Sequence, residues 1–168
     1  MDASLISPPP PVTFTTKDLR AALGQFATGV AIVTARGEDG HPIGLTINSF
    51  ASVSLDPPLV LWSLDNRSGN LAAFNAASHH AIHILGTAQR PLAELFATRG
   101  VDRFADLAWQ PGLGGAPLLA GCAAVFECRQ HTRHPGGDHL LYLLEVLHCH
   151  SRKDLPPLIF HGGRFVAP

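Results

Sequence analysis

Charge is scarce in this sequence. Charged residues make up 15% of its 168 residues, against roughly 25% in typical soluble domains. The formal net charge is −1 and no run of like charges occurs, so we expect no nucleic-acid partner and no anionic membrane surface as partner. A charge-poor surface suggests that a second copy of the chain covers part of it, although a low-charge monomer would have the same composition.

Long apolar runs are also absent, and none reaches the length of a membrane span. The first residues, MDASLISPPPPVTF, lack a basic region followed by an apolar stretch, so we predict no secretory signal. Cysteine is rare: only Cys122, Cys128 and Cys149 occur, and the spacing of the first two does not fit a metal knuckle. Unpaired thiols in odd number are typical of a reducing cytoplasm, which is the location we predict.

Common nucleotide-binding and catalytic motifs are missing. The sequence has no P-loop, no GxGxxG after a strand and no GxSxG elbow, so any bound nucleotide is held by other means. Its ten histidines reproduce no zinc-ligand spacing and include no HExxH. We therefore interpret them as polar residues at strand ends and predict no metal site.

Glycine and proline are plentiful, with 30 residues together, which favours short strands and turns. Pro8 to Pro11 predict a stiff, extended lead-in over residues 1–13, followed by one domain over 14–168. A helix is predicted from Thr15 through Phe26, with Gly29 as its end, and others around 71–74 and over 91–100, with a loop over 109–117. Strands are predicted over 30–35, 42–55, 59–64, 81–85, 123–131, 139–150 and 158–166. Such a series predicts a mostly β fold, an antiparallel barrel or sandwich with short inserted helices.

One predicted strand has an unusual polar face. In TINSFASVSLDPP (46–58), alternate positions carry short polar side chains around a single aromatic residue. Because successive strand residues point to opposite sides, these groups share one face and are suited to hydrogen bonding with something that lies against it. The polar positions are Thr46, Asn48, Ser52 and Ser54, with Phe50 among them. The other face is apolar at Ile47, Ala51, Val53 and Leu55, with Ser49 as the exception.

The turn HPGGDH (134–139) is the second feature of interest. Its two glycines permit backbone angles that other residues avoid, and they place Asp138 and His139 where a strand begins. A capped hairpin turn explains this pattern, and from the turn alone it is the favoured interpretation. A histidine at a cleft rim, which can contact a substrate or assist proton transfer, explains it too.

Several segments in order resemble the flavin reductase-like family, the split barrels that serve as reductase components of two-component monooxygenases. They are FATGVAIVTA, GLTINSFASVSLDPPLVLWSLDNRSGNLAAF, DRFADLAW, GGAPLLAGCAAVFECR, HPGGDHLLYLLEV and PLIFHGGRF. The resemblance extends from about Phe14 to Phe165. It implies an antiparallel split β-barrel of Greek-key type, commonly a homodimer with flavin at the subunit boundary.

The resemblance also implies site residues. Its flavin-ring segment corresponds to Thr46, Asn48, Ser49, Phe50 and Ser52. Its segment for the ribityl chain and phosphate corresponds to Ser63, Leu64, Asp65, Arg67, Ser68 and Asn70. Main-chain contacts are implied at His83 and Leu85, and proximity to the cofactor at Phe104, Phe160 and His161. His139 corresponds to the position beside the nicotinamide. Asn70, His83 and Gly163 depart from residues common in the family (Thr, Asn and a larger residue).

The function implied is that of an NAD(P)H:flavin oxidoreductase. Hydride would pass from NADH or NADPH to FMN or FAD, and reduced flavin would be supplied to a partner monooxygenase. The chemistry belongs to the flavin, so the protein needs no strong acid or nucleophile of its own. Two alternatives remain open: a self-contained oxidase or oxygenase with tightly bound flavin, and a non-catalytic flavin-binding protein.

Overall fold

The computed structural model describes residues 11–166, and nearly all of the predicted lead-in lies outside them. Three α-helices form: α1 (Thr16–Leu23), α2 (Leu71–Ala76) and α3 (Arg90–Ala97). The strands are β1 (Thr28–Gly29), β2 (Ala31–Arg36), β3 (Pro42–Ile47), β4 (Ala51–Leu55), β5 (Pro58–Asp65), β6 (His79–Ile84), β7 (Trp109–Pro111), β8 (Pro117–Leu119), β9 (Ala124–Gly136), β10 (His139–Ser151), β11 (Ile159–His161) and β12 (Arg164–Val166). The fold is mostly β, as predicted.

Seven strands form the main sheet, in the order β3-β2-β6-β9-β10-β5-β4 with every pair antiparallel. Seven strands laid flat would separate the two outer ones by about 29 Å. Yet β3 and β4 are joined by residues 48–50 alone, and four Cα steps span at most about 15 Å. The sheet must therefore curl until its edges approach, which gives a barrel split between β3 and β4.

The buried side chains form two clusters, one on each side of β2. Ala31, Val33 and Ala35 pack in a cluster centred on Trp62 and Tyr142, whose rings stack 4.5 Å apart. Ile32, on the opposite face of β2, packs with Ala93 and Phe96 of α3 in the second cluster. Because both faces of β2 are covered, its sequence is nearly continuous in apolar residues.

Helix α3 packs directly on β3, and Gly44 makes this possible. A Cβ atom at Gly44 would stand 2.8 Å from the Phe96 ring and 3.1 Å from the Val33 carbonyl oxygen. The absence of a side chain therefore lets Phe96 pack directly on the strand. This contact sets the position of the segment that follows α3.

Three segments differ from their predicted form. The predicted strand over 42–55 is broken at 48–50, where the chain crosses the split between β3 and β4. The predicted strand over 158–166 is a hairpin, because Gly162 and Gly163 adopt positive φ angles of 57° and 80°. The predicted loop over 109–117 contains most of a short ladder between β7 and β8.

The predicted apolar face of 46–58 is only partly buried. Ile47 is 7% exposed, but Val53 and Leu55 are 52% and 94% exposed. The reason is that β4 is an edge strand, paired with β5 alone, and within residues 11–166 nothing covers it. The alternation is also interrupted within β4, where the pairing with β5 shifts register between Ser52 and Ser54. Periodicity in the sequence predicts neither this interruption nor whether a face is covered.

Candidate functional site

A cavity of about 820 Å³ lies where the split in the barrel meets the segment after α3. Three stretches of chain form its walls. The first is residues 45–49, at the end of β3. The second is residues 63–70, from the end of β5 to the start of α2, with His139 beside it. The third is residues 96–103, from the end of α3 into the segment that follows it.

Ten of the residues implied by the family resemblance line this cavity together. They are Thr46, Asn48, Ser49, Ser63, Leu64, Asp65, Arg67, Ser68, Asn70 and His139. They come from two distant parts of the sequence, and the pairing of β5 with β10 brings these parts together by placing Asp65 opposite His139.

The hydroxyl groups in the first wall serve to hold the wall in place. Thr46 Oγ1 donates to the Ala93 carbonyl oxygen of α3 at 2.6 Å. Ser49 Oγ accepts from the Ser63 amide at 3.1 Å and lies 3.4 Å from the Ser63 carbonyl oxygen, which is a bond across the split. Asn48 is exposed at the cavity, so its amide is the polar side chain of this wall best able to meet a ligand.

An ion pair shapes the second wall. Arg67 donates to both carboxylate oxygens of Asp65, through Nε at 3.1 Å and a terminal nitrogen at 2.7 Å, and its main-chain amide adds a 2.8 Å bond. These bonds hold the pKa of Asp65 well below its usual range. Ser68 Oγ accepts a hydrogen bond from the main-chain N–H of Asn70 at 3.3 Å. The loop is therefore closed by its own hydrogen bonds.

His139 is held at the cavity rim by the glycine turn. Its Nδ1 lies 2.7 Å from a carboxylate oxygen of Asp138, and this bond lowers the pKa of Asp138. Asn66 ties the two loops together. Its main-chain N–H donates to the main-chain carbonyl oxygen of Asp138 at 2.9 Å, and its side-chain Nδ2 donates to the carbonyl oxygen of Gly137 at 3.3 Å. Gly137 has a φ of 67°, a conformation that favours glycine.

His83 and Leu85 do not reach the cavity. The His83 side chain is 0% exposed, with Nδ1 3.1 Å from the Ile32 carbonyl oxygen and Nε2 accepting from the Leu119 amide at 3.1 Å. Burial lowers the pKa of His83 to about 4. Both main-chain groups of Leu85 are used in bonds to Val30 and Leu158. Both side chains lie in the core, and the main-chain contacts with the cofactor implied for these residues stay predictions.

The remaining implied residues also lie outside the cavity lining. Phe50 packs on Phe126, with ring centroids 5.4 Å apart, and Phe160 packs on Phe165 at 5.5 Å. Phe104 packs against Phe96 and borders a smaller cleft of about 150 Å³. Ser52 is exposed on the edge strand β4, and His161 is half-buried at the end of β11. Their implied cofactor contacts are not formed by the walls of this cavity.

The third wall was missed by sequence reasoning. Its polar members are Arg99 and Arg103, on either side of Gly100, whose φ is 75°. Arg103 donates to the Gly44 carbonyl oxygen at 3.0 Å and to that of Thr98 at 2.7 Å, and burial lowers its pKa. The available signal was the pair of arginines in TRGVDRF, one within the last turn of the predicted helix and one just beyond its end.

Across residues 11–166 no group of three or more His, Cys, Asp or Glu side chains could hold a metal ion. No helix within the same range is long and apolar enough to cross a membrane. The three cysteines are free, with Cys122 and Cys128 buried and Cys149 exposed.

The chain belongs to the flavin reductase-like family. The family described as "Flavin reductase like domain" matches residues 23–167, and this confirms the resemblance noted in the sequence.

Individual relatives agree over most of the chain. An FMN reductase (NADH), SmoA, from Agrobacterium fabrum is 48% identical over 149 residues, which is 89% of this chain and 84% of the relative. The reductase component of a flavin-dependent trigonelline monooxygenase from Acinetobacter baylyi is 44% identical, and the match covers 90% of this chain but 49% of that protein. Among solved structures, an NADH:FAD oxidoreductase of Streptomyces globisporus, in complex with NAD and FAD fragments, is similar to this chain with a TM-score of 0.85 and 38% sequence identity. The match covers 90% of this chain and 92% of the oxidoreductase chain.

Proposed function

We propose that this protein is an NAD(P)H:flavin oxidoreductase that reduces FMN or FAD and supplies the reduced flavin to a partner monooxygenase. One observation carries the proposal: in a chain of this family, the polar end of β3, the loop after β5 and His139 line a single cavity. Relatives named as NADH-dependent FMN and FAD reductases, and as reductase components of monooxygenases, support it.

The hydrogen-bond donors in the cavity walls suit a flavin nucleotide. Asn48 offers an exposed amide and the neighbouring wall offers arginine side chains, which suits a ligand with a polar ring edge at one end and a phosphate at the other. When bound, the flavin supplies the redox chemistry. The protein's part is to hold two rings in register, because correctly oriented reactants react far faster than free ones.

His139 is the residue we assign to the nicotinamide. It lies at the cavity rim, its side chain is 41% exposed, and Asp138 fixes its ring through Nδ1. The Nε2 atom is then the ring nitrogen left to contact a bound dinucleotide. The role of His139 is to position the nicotinamide ring against the flavin ring rather than to exchange a proton.

We further propose that the protein is a homodimer in the cytoplasm. Large apolar side chains are exposed on β4 and after α1, among them Leu55 at 94% and Phe26 at 77%. Apolar surface of this kind is commonly covered by a partner, and a second copy of a charge-poor chain is the simplest one. Two buried free thiols, Cys122 and Cys128, suit a reducing compartment.

A steady-state assay that crosses NADH and NADPH with FMN and FAD tests the function. We expect oxidation of the nicotinamide that depends on added flavin in at least one combination. Protein that is folded but inactive in all four combinations would contradict the proposal. Flavin that survives dialysis with the purified protein would instead favour a self-contained flavoenzyme, and flavin binding without turnover would favour a binding protein.

A further inference from the structure

Three arginines line the cavity, and they differ in what neutralises them. Arg67 belongs to the loop after β5, whereas Arg99 and Arg103 belong to the wall after α3. A single carboxylate, that of Asp65, lines the same cavity. Because an anion is attracted by charge that is not already compensated, the partners of each arginine decide where a phosphate would bind.

Arg67 is compensated. Its guanidinium forms a two-point ion pair with Asp65, with N···O distances of 3.1 and 2.7 Å. The Arg67 side chain is 84% exposed, so solvent screens the remaining attraction between its positive charge and an anion. A phosphate at Arg67 would have to compete with a carboxylate already in place, and Asp65 would repel it.

Among the described residues, 11–166, no carboxylate lies within 4.0 Å of the Arg103 side-chain nitrogens. The two hydrogen bonds of this side chain go to the carbonyl oxygens of Gly44 and Thr98, which orient the group but do not cancel its charge. These bonds tie the wall to β3 and fix the main chain directly before Arg99. Arg103 is therefore both a source of positive potential and a support for its neighbour.

Arg99 is exposed at the cavity and is uncompensated. Among residues 11–166 no carboxylate lies within 4.0 Å of its side-chain nitrogens, and no hydrogen bond occupies its guanidinium. The net positive charge of the cavity thus lies on the wall over 96–103, and the wall over 63–70 is close to neutral.

We propose that Arg99, supported by Arg103, forms the anion subsite of this cavity and binds a phosphate group of the bound nucleotide in place of Arg67. The inference rests on the proposed function for the identity of the nucleotide. Two phosphate sources share this chemistry, the flavin nucleotide and the reduced nicotinamide dinucleotide. A bidentate guanidinium–phosphate contact is among the stronger hydrogen-bonded pairs, so its loss has a measurable effect.

The test compares Arg99→Gln with the matched control Arg67→Gln, both at exposed positions. Dissociation constants for FMN and for riboflavin, which lacks the phosphate, are measured by fluorescence, and KM for NADH is measured with riboflavin as acceptor. If the flavin phosphate binds here, R99Q weakens FMN binding by about 10- to 100-fold and leaves riboflavin unchanged. If the dinucleotide phosphates bind here, KM for NADH rises by a similar factor and FMN binding does not change.

Either result supports the subsite, provided that R67Q has a clearly smaller effect. The inference is overturned if R99Q changes neither quantity, or if R67Q matches or exceeds its loss. Calorimetric titration with inorganic pyrophosphate separates this inference from the proposed function. Pyrophosphate binding that R99Q abolishes and R67Q retains supports the subsite even in a protein that binds no flavin, and equal binding by both variants overturns it.

Discussion

Two histidines are neutral parts of the core, and their side chains show why. His80 accepts a 3.3 Å hydrogen bond from the Trp62 indole at Nδ1, and His83 accepts one from a main-chain amide. Accepting a bond requires a ring nitrogen without a proton, so both rings are neutral. Burial lowers the pKa of each to about 4.

Because of these two histidines, we expect the free energy of unfolding to fall in mild acid. The unfolded chain takes up protons near pH 6.5, whereas the folded chain resists protonation until about pH 4. Stability is therefore complete above the unfolded pKa and falls as the pH is lowered toward the folded pKa, on the order of 2 kcal/mol per histidine at pH 5. Denaturant unfolding at pH 7.5 and pH 5 measures the difference, and H80Q/H83N should reduce it. Equal free energies of unfolding at both pH values would refute the assignment.

The role proposed for His139 leads to a separate prediction about the orientation of the nicotinamide ring. We expect His139→Ala to lower kcat/KM for the nicotinamide by about 10- to 100-fold, since a misplaced ring loses its orientation. The dissociation constant for flavin should stay within about twofold. Steady-state kinetics and flavin titration check the two halves, with His41→Ala, an exposed histidine in the β2–β3 turn, as control. A loss confined to flavin affinity would move His139 to the flavin side of the site.

Sequence patterns predicted the secondary structure well, but they did not predict which individual residues contact one another in the fold. Alternation and turn residues located the main strands, because these patterns depend on near neighbours. The side chain of His83 proves to lie in the core, because its two main-chain partners, Ile32 and Leu119, are far away in the sequence. Arg99 and Arg103 were missed because nothing local shows that the end of α3 faces the end of β3. Tertiary pairing decides such contacts, and a single sequence does not display it.

Among the elements, the break between β3 and β4 is the one that builds the site. Ser49 spans it, with bonds to both main-chain groups of Ser63 on β5. These bonds replace the strand pairing that the split removes, and they hold the first wall against the second. The predicted polar strand is thus two strands with a binding edge between them.

Removing the Ser49 hydroxyl should loosen this edge. Ser49→Ala leaves the half-buried Ser63 amide without its acceptor, which costs about 1–3 kcal/mol. We expect a lower thermal midpoint and weaker flavin binding, measured by calorimetry and fluorescence titration. Ser151→Ala, at an exposed position at the end of β10, serves as the control and should change neither. An S49A protein with unchanged stability and affinity would show that the bond across the split is dispensable.

The whole molecule presents apolar residues where an isolated chain would be expected to show polar ones. Val53 and Leu55 are exposed on an edge strand, and Phe26 is exposed after α1. Edge strands without charged or otherwise protective residues tend to be covered by another chain. A charge content of 15% agrees with this view.

A charge on β4 should therefore disrupt the homodimer proposed above. We expect Leu55→Asp to shift the protein from dimer to monomer in light scattering coupled to size-exclusion chromatography, because a buried unpaired carboxylate is costly. Gln110→Asp, an exposed position on β7, adds the same charge and should leave the dimer intact. Monomeric unaltered protein, or an L55D protein that stays dimeric, would contradict this assignment of the surface.

The most direct test of the account is hydride transfer without oxygen. Catalytic amounts of the protein are mixed anaerobically with a reduced nicotinamide and excess oxidised flavin, and the absorbance of both is followed. The account predicts that flavin is reduced in one-to-one proportion to the nicotinamide consumed, over many turnovers per subunit. Nicotinamide consumption without flavin reduction, or no reaction with NADH or NADPH and either flavin, would contradict it.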